Sequence, residues 1–322
     1  MKNSIRKKFL WVSKRPLLII LIFFLIFPFI MPYKALATEI LIWGLFSLGF
    51  NIVYGYTGLL HFGAAAYFGI GAYGMGILLS RYDVFIWFAL LFSVTMAGLG
   101  AAIIGSFCLR RRGVYFALLN LAFAQVLYFI AFQWVSLTGG EVGLRGISVP
   151  SISFPGFSVN IDSSLKFYYF TLFFVMITVL VLRRVLNSPF GKVLESIREN
   201  EKRARACGYH TERIKLLSFI MAGVVSGLAG ALYALYMQFV GTEYLHYVTS
   251  GTVIMMSLLG GAGTFLGPFI GAGFYLFLED VISVYTNHWS IFVGAVFCAC
   301  VLLFPEGICG RMKMLIDRLK ES

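Results

Sequence analysis

The chain alternates between long apolar runs and short polar segments, and the runs match the thickness of a membrane. A crossing helix needs about 20 apolar residues. Single passes fit residues 17–33, 84–109, 114–140, 167–182, 216–242 and 281–305. Residues 40–80 and 244–278 contain no Asp, Glu, Lys or Arg and are long enough for two passes each. The pattern therefore predicts an all-α polytopic membrane protein with about ten transmembrane helices, forming one domain over residues 1–322.

Both double runs reverse direction at glycine-rich breaks, GYTGLLHFG (residues 55–63) and LLGGAGTFLGP (residues 258–268). Backbone without helical hydrogen bonds survives at membrane depth only when protein or a water-filled cavity covers it. The breaks have two interpretations: close helix packing through small residues, or interrupted helices that border a translocation pathway. The candidate pathway residues are Asn51, Gly55, Gly58, His61, Gly63, Asn120 and Gln125.

The longest polar run, residues 188–215, is called the polar segment below. Ser188 and Pro189 are typical of the start of a helix, and Gly208 is typical of the residue that ends one. They predict one helix of up to about nineteen residues, with Thr211 capping the next helix. The residues expected on its apolar face are Val193, Ile197 and Ala204. Alone, the run is equally typical of a solvated loop.

Composition excludes a water-soluble globule, because 60% of the residues are hydrophobic, 12% are charged and the mean hydropathy is +0.87. The net charge of +12 does not indicate nucleic-acid binding, since the basic residues form short clusters between apolar runs. With ten passes and a cytoplasmic N-terminus, 22 of the 26 Lys and Arg residues lie in the cytoplasm, as the positive-inside rule expects. Residues 1–16, the polar segment and the tail 306–322 are then cytoplasmic, and residues 138–166 form the longest outer loop.

The first apolar run has two interpretations. Residues 1–16 carry six basic residues and no acidic one, and residues 17–33 are long enough for an anchor helix. A cleaved signal peptide is the alternative, because Ala35 and Ala37 form an A-x-A site that would give a mature start at Thr38. The anchor is the expectation that we carry forward.

No motif indicates an enzyme. There is no GxxxxGK[ST] phosphate loop, no HExxH and no CxxC pair, and no catalytic serine arrangement is recognisable. We expect no metal or cofactor in this chain, so any ATP must be bound and hydrolysed by separate subunits.

Five blocks of sequence resemble the permease subunits of branched-chain amino acid ABC transporters, of the LivM type. The polar segment and the apolar run after it, residues 188–234, carry the most specific block, SPFGKVLESIRENEKRARACGYHTERIKLLSFIMAGVVSGLAGALYA. The others are GYTGLLHFGAAAYFGIGAY (55–73), RRGVYFALLNLAFAQVL (111–127), TGGEVGL (138–144) and LLGGAGTFLGPFIGA with the terminal FPEGICG. The resemblance covers nearly the whole chain after residue 40.

The resemblance implies a type II ABC importer permease fold in a bacterial inner membrane. A second permease would complete the pathway, two cytoplasmic ATPases would power it, and a periplasmic binding protein would deliver the solute. The polar segment would then be the coupling segment that docks on an ATPase. Its predicted coupling residues are Glu195, Ile197, Arg198, Glu199, Asn200, Ala204 and Gly208.

Other functions stay open at this point. The chain departs from the family pattern at Ala64, where a His is usual, and at Val142, where Asn or Asp is usual. Urea and short-amide importers share the scaffold and are the nearest alternative. An ATP-independent carrier or channel is the competing class, but a carrier needs carboxylates inside the membrane, and Glu243, Glu279 and Asp280 all fall at the ends of predicted spans.

Overall fold

The computed structural model describes residues 16–82, 84–147, 152–154, 157–159, 163–303 and 307–311. The tails 1–16 and 306–322 lie mostly outside these residues, as do residues 148–151, 155–156 and 160–162 of the predicted outer loop. The described chain is mainly helical. Its helices are α1 (Pro16–Ile30), α2 (Lys34–Thr57), α3 (Ala64–Arg81), α4 (Ile86–Cys108), α5 (Val114–Gln133), α6 (Val135–Thr138), α7 (Ser164–Leu186), α8 (Pro189–Ala206), α9 (Thr211–Met237), α10 (Tyr247–Gly260), α11 (Gly267–Tyr285) and α12 (Trp289–Leu303).

The apolar helices follow the predicted order. Among the described residues, seven segments are long and apolar enough to cross a membrane: α2, α4, α5, α7, α9, α11 and Trp289–Arg311, which includes α12. Helices α1, α3 and α10, with 15, 18 and 14 residues, occupy the other three predicted passes. The all-helical polytopic class is confirmed, and ten stays a prediction for the number of crossings.

Helix α2 lies at the centre of the bundle. Of its most apolar 18-residue window, 89% of the residues are buried, and it packs against α7, α9, α10 and α11. Helices α3 and α9 approach so closely that a Cβ atom on Gly71 would fall on the carbonyl oxygen of Gly227, and one on Gly230 would fall on the carbonyl oxygen of Phe68. Small residues at these positions let the two backbones touch.

Helix α1 is part of this bundle. The Tyr168 hydroxyl on α7 donates a hydrogen bond of 2.6 Å to the backbone carbonyl of Phe24 on α1. The alternative cleavage site lies in the first turn of α2, where Leu36 and Ala37 are buried. The anchor interpretation stays a prediction, which N-terminal sequencing of the mature protein would test.

Short strands lie in the described parts of the predicted outer loop. Strand β1 (Leu144–Arg145) pairs antiparallel with β4 (Phe239–Val240), which follows α9, and Leu144 lies opposite Val240. Strands β2 (Ile152–Phe154) and β3 (Phe157–Val159) form a hairpin. The β1–β4 pair fixes the loop to the end of α9 opposite the polar segment.

Candidate functional site

The polar segment folds into helix α8 and the turn before α9, with the predicted ends. Ser188 is the extended residue before α8, and its hydroxyl oxygen accepts a hydrogen bond from the backbone N–H of Phe190 at 3.3 Å. After α8, Gly208 has φ +88°, a left-handed conformation that glycine adopts without steric cost. The segment is therefore an ordered element of the fold.

The prediction of one uninterrupted helix in this segment is wrong. Asn200 has φ −159° and ψ 98°, which divides α8 into two helical parts, residues 189–199 and 201–206. The side-chain oxygen of Asn200 accepts a hydrogen bond of 3.0 Å from the backbone N–H of Arg203. An asparagine side chain that satisfies a backbone donor three residues later competes with helix continuation. Asn200 thus acts as the N-cap of the second part.

The apolar face of α8 is the predicted one. Val193, Ile197 and Ala204 are buried and share a cluster with Ile214 of α9. Two of the predicted coupling residues, Ile197 and Ala204, therefore hold α8 against the bundle.

Arg198 is exposed, but the end of its side chain reaches the bundle. Its guanidinium Nη1 donates a hydrogen bond of 2.5 Å to the backbone carbonyl of Gly55, near the end of α2. A Cβ atom on Gly263 would lie 2.6 Å from the same Nη1, so Arg198 also touches the second glycine break. A cation at a helix C-terminus is favoured because the last carbonyl groups carry partial negative charge. Arg198 joins α8 to both breaks.

Asn51 connects the two breaks to each other. Its amide Nδ2 donates to the carbonyl of Thr264 at 2.8 Å, and its Oδ1 accepts from the N–H of Gly263 at 2.9 Å. Asn51 is 0% exposed, and a Cβ atom on Gly55 would come within 2.6 Å of the Gly263 nitrogen. The two breaks are therefore packed together at the end of the bundle that carries α8. We call Asn51, Gly55, Arg198, Gly263 and Thr264 the coupling cluster.

A second set of polar contacts holds the second helical part of α8, residues 201–206, against α9. The Glu201 carboxylate accepts hydrogen bonds from Lys215 Nζ at 2.8 Å and from the Thr211 hydroxyl at 3.2 Å. Arg205 and Arg112 lie 3.5 and 3.8 Å from the same oxygen. The Lys215 side chain is only 3% exposed, so the pair with Glu201 neutralises a buried charge.

These contacts determine the protonation of Glu201. Partial burial opposes ionisation of its carboxyl group, but the hydrogen bond and charge of Lys215, with Arg112 and Thr211, outweigh it and lower its pKa. The prediction that Thr211 caps α9 was wrong in its detail. The helix begins at Thr211 itself, and its hydroxyl donates to Glu201. Sequence reasoning missed Glu201 and Lys215 because fourteen residues and a helix end separate them, so no helical spacing links the two.

The remaining predicted coupling residues face outward. Glu195, Glu199 and Asn200 are exposed, and so is Gly208. Glu195 lines a cavity of about 340 Å³ between α8 and the second glycine break, together with Tyr56 and Arg183. Glu195 is thus exposed but lies beside the bundle, whereas Glu199 and Gly208 are on the exposed surface of α8 and the turn after it.

The predicted pathway residues fall into separate places. Gly55 and Gly58 contact Arg198, and Asn51 contacts the neighbouring Gly263. Gly63 instead packs on the backbone of Asn120 in α5. The His61 ring stacks on Phe50 with a centroid distance of 4.9 Å and lies 5.5 Å from the Phe219 ring. His61 and Asn120 are each 1% exposed. Packing contacts surround these residues, but His61 Nδ1, Asn120 Oδ1 and Gln125 Nε2 are buried without a hydrogen-bond partner among the described residues. A pathway role for any of them stays a prediction.

Three carboxylates lie together where the first part of α2 meets the last part of α11. Glu39, Glu279 and Asp280 line a cavity of about 310 Å³, and the Tyr33 hydroxyl donates to Asp280 at 2.5 Å. The prediction that Glu279 and Asp280 lie at the end of a span is wrong, because α11 continues past them to Tyr285. Sequence reasoning also did not anticipate Glu39 beside them, within α2. Among the described residues, no group of three or more His, Cys, Asp or Glu side chains has an arrangement that could hold a metal ion.

Residues 33–301 match the family described as branched-chain amino acid transport system, permease component. The chain is 26% identical over 292 residues to the high-affinity branched-chain amino acid transport system permease protein LivM of Escherichia coli (strain K12), covering 85% of this chain and 69% of that protein. It is 24% identical over 301 residues to the probable branched-chain amino acid transport permease protein LivM of Methanocaldococcus jannaschii, covering 81% and 86%. It is also 25% identical over 289 residues to the permease protein LivH of Salmonella typhimurium, covering 84% and 91%. No solved structure matches the chain. Because the family match spans most of its length, the chain belongs to the family of branched-chain amino acid transport system permease components.

Proposed function

We propose that this chain is one of two permease subunits of an ATP-driven importer for branched-chain or related hydrophobic amino acids. It lies in the inner membrane of a bacterium with both termini in the cytoplasm. Separate subunits bind and hydrolyse ATP, and an extracytoplasmic binding protein delivers the amino acid. The chain itself carries out no catalysis and needs no cofactor.

The observation that carries the proposal is the hydrogen bond from Arg198 to the Gly55 carbonyl. This hydrogen bond joins α8, a polar helix outside the predicted spans, to the end of α2, the most buried of the candidate membrane spans. The outward face of α8, with Glu195 and Glu199, docks on an ATPase. Arg198 on the inward face passes the movement of α8 to α2 and to the second glycine break. A rigid-body shift at an interface becomes a rearrangement of packed helices in this way.

The distribution of basic residues supports a cytoplasmic location for α8. The turn after α4 carries Arg110, Arg111 and Arg112, and it lies at the same end of the bundle as α8, since Arg112 is 3.8 Å from Glu201. Such a concentration of basic residues favours the cytoplasmic side. The exposed charges on α8 give an ATPase interface its register and orientation more than its affinity.

Similarity to both LivM and LivH supports a second permease subunit. Both relatives are named as permease proteins of high-affinity branched-chain amino acid transport systems. We infer that this chain pairs with a related permease, and that the translocation pathway lies between the two. An amino acid with an apolar side chain crosses a weakly polar, transiently hydrated pathway, because capture occurs on the binding protein.

Reconstitution of the complete transporter tests this function. The permease pair, the ATPases and the loaded binding protein are placed in liposomes, and uptake of radiolabelled leucine is measured with ATP or with a non-hydrolysable analogue. We expect uptake only with ATP and binding protein. Uptake of urea or a short amide in place of leucine would support the alternative solute class. Leucine uptake by this chain without any ATPase would overturn the importer in favour of a carrier or channel.

A further inference from the structure

A basic cavity lies between the end of α4 and the first turn of α9. It has a volume of about 430 Å³, within the range of about 300–1,000 Å³ typical of small-molecule sites. Its lining includes the basic side chains of Arg110, Arg112, Arg213 and Lys215, and the carboxylate of Glu212. Glu201, which pairs with Lys215, adds a second carboxylate beside the cavity. Four basic and two acidic side chains then leave a net charge of +2.

That excess lies mainly on two residues. Lys215 and Arg112 face Glu201, whereas the Arg110 guanidinium lies 5.7 Å from the centroid of the Phe107 ring. Arg110 and Arg213 are both exposed, and among the described residues no acidic side chain is within ion-pair distance of either. Concave sites lined by one sign of charge concentrate the opposite ion. The cavity is therefore suited to an anion.

The surroundings of the cavity are apolar and exposed. Ile103 and Phe107 on α4 are 60% and 49% exposed, and Leu217 on α9 is 52% exposed. Both helices are candidate membrane spans, so the basic cavity opens at the level where an apolar surface gives way to polar residues. Lipid headgroups occupy this level, and basic pockets between transmembrane helices bind anionic headgroups.

We propose that this cavity binds the phosphate headgroup of an anionic phospholipid. Arg110 and Arg213 contact the phosphate oxygens, to which the planar guanidinium group is well matched. The acyl chains lie along the exposed faces of α4 and α9. The lipid would connect α4 to α9 beside the Glu201–Lys215 pair, and the inference does not depend on which solute is transported.

Nanodiscs of defined composition test the proposal with the full-length chain in its complex. The thermal unfolding midpoint is measured as phosphatidylglycerol replaces phosphatidylcholine, and native mass spectrometry records which lipids stay bound. We expect wild type to retain phosphatidylglycerol and to gain stability with it. The double variant Arg110→Gln with Arg213→Gln should lower the apparent affinity about fivefold for each charge removed, which corresponds to about 1 kcal/mol per basic residue near an anionic surface.

Three controls distinguish a specific site from general attraction. Arg184→Gln removes an exposed charge at the same end of the bundle but on α7, and it should leave phosphatidylglycerol retention unchanged. The double lysine variant, Arg110→Lys with Arg213→Lys, keeps the charges and should retain most of the binding if the protein is folded. An equal effect of Arg184→Gln, or no difference between the two lipids for wild type, overturns the proposal. Equal stabilisation in detergent by inorganic phosphate, without retained lipid, assigns the cavity to free phosphate and also overturns it.

Discussion

Arg198 and Gly55 are 143 residues apart, yet the guanidinium of Arg198 donates to the Gly55 carbonyl at 2.5 Å. Among the contacts that α8 makes with the bundle, this one reaches the helix whose interior is most completely buried. The same guanidinium touches the glycine break after α10. We therefore expect a movement of α8 to act on α2 and on the turn between α10 and α11 together.

Replacing Arg198 by Gln should uncouple the transporter. Hydrogen bonds that involve a charged group contribute about 1.5–3 kcal/mol, so we expect ATP-driven leucine uptake to fall at least about tenfold. ATP hydrolysis should continue, because Glu195 and Glu199 still present the outward face. The matched control is Lys192→Gln, which removes an exposed charge from the same helix. Normal uptake by the Arg198 variant would contradict a coupling role.

Replacing Asn51 by Leu should destabilise the coupling cluster. The substitution removes two hydrogen bonds and leaves the Gly263 N–H and the Thr264 carbonyl without Asn51 as partner. A buried group without a partner costs about 1–3 kcal/mol, which a lower thermal unfolding midpoint would report.

Asn120→Leu is the control for that experiment. Asn120 is also buried, but its Oδ1 has no hydrogen-bond partner among the described residues, and its Nδ2 reaches only the Phe116 carbonyl of the same helix at 3.3 Å. Because the leucine removes a buried oxygen that has no partner, this replacement should leave the midpoint unchanged or raise it. If the two leucine variants lost equal stability, the Asn51 hydrogen bonds would not be the reason.

The contribution of Glu201 to the stability of the fold should be lost at acidic pH. The folded protein lowers the pKa of Glu201, so the ionised carboxylate stabilises the fold above the ordinary glutamate pKa of 4.5. That contribution is lost as the pH falls through the lower folded pKa. Thermal unfolding midpoints measured between neutral and acidic pH should show this loss in wild type and a smaller one in Glu201→Gln.

At neutral pH, Glu201→Gln should itself be destabilising. It leaves the buried Lys215 ammonium without its carboxylate, and breaking a buried pair costs about 3–5 kcal/mol. We expect the lower end of that range or less, because the Glu201 side chain is 23% exposed. Glu212→Gln breaks a bridge to Arg205 whose carboxylate is 72% exposed and should cost under about 1 kcal/mol. Similar losses in both variants would argue against a special role for Lys215.

Gly208 should tolerate asparagine but not valine. A Cβ atom there would meet nothing within 4 Å, so the cost of substitution comes from the φ of +88°. Non-glycine residues cost about 1–2 kcal/mol in left-handed backbone, and asparagine less. Gly208→Val should reach the membrane folded and lose transport, whereas Gly208→Asn should transport. Membrane fractionation and leucine uptake measure the two properties, and normal uptake by the valine variant would refute a coupling role for this turn.

The accurate predictions rest on local features. Ser188, Pro189 and Gly208 determine the ends of α8 through their own backbone preferences, and Val193 and Ile197 share a face because they are four residues apart in one continuous helical part. Ala204 lies beyond the break at Asn200 and reaches the same cluster from the second helical part. The break at Asn200 depends on a competition between one side chain and the helical N–H groups, which periodicity does not reveal. The inward direction of Arg198 and the pairing of Glu201 with Lys215 are tertiary contacts. No pattern in one sequence links residues 143 apart.

The burial of α2 has a consequence for biosynthesis. Asn51 is hydrogen-bonded to Thr264, and the two are separated by 213 residues. At roughly 5–20 residues per second, the ribosome needs roughly 10 to 40 s to make the chain between them. We expect α2 to enter the membrane during that interval, with its asparagine amide lacking its native partner. The bundle therefore closes around α2 only late in translation, and chains that terminate before α11 should be substrates for membrane proteases.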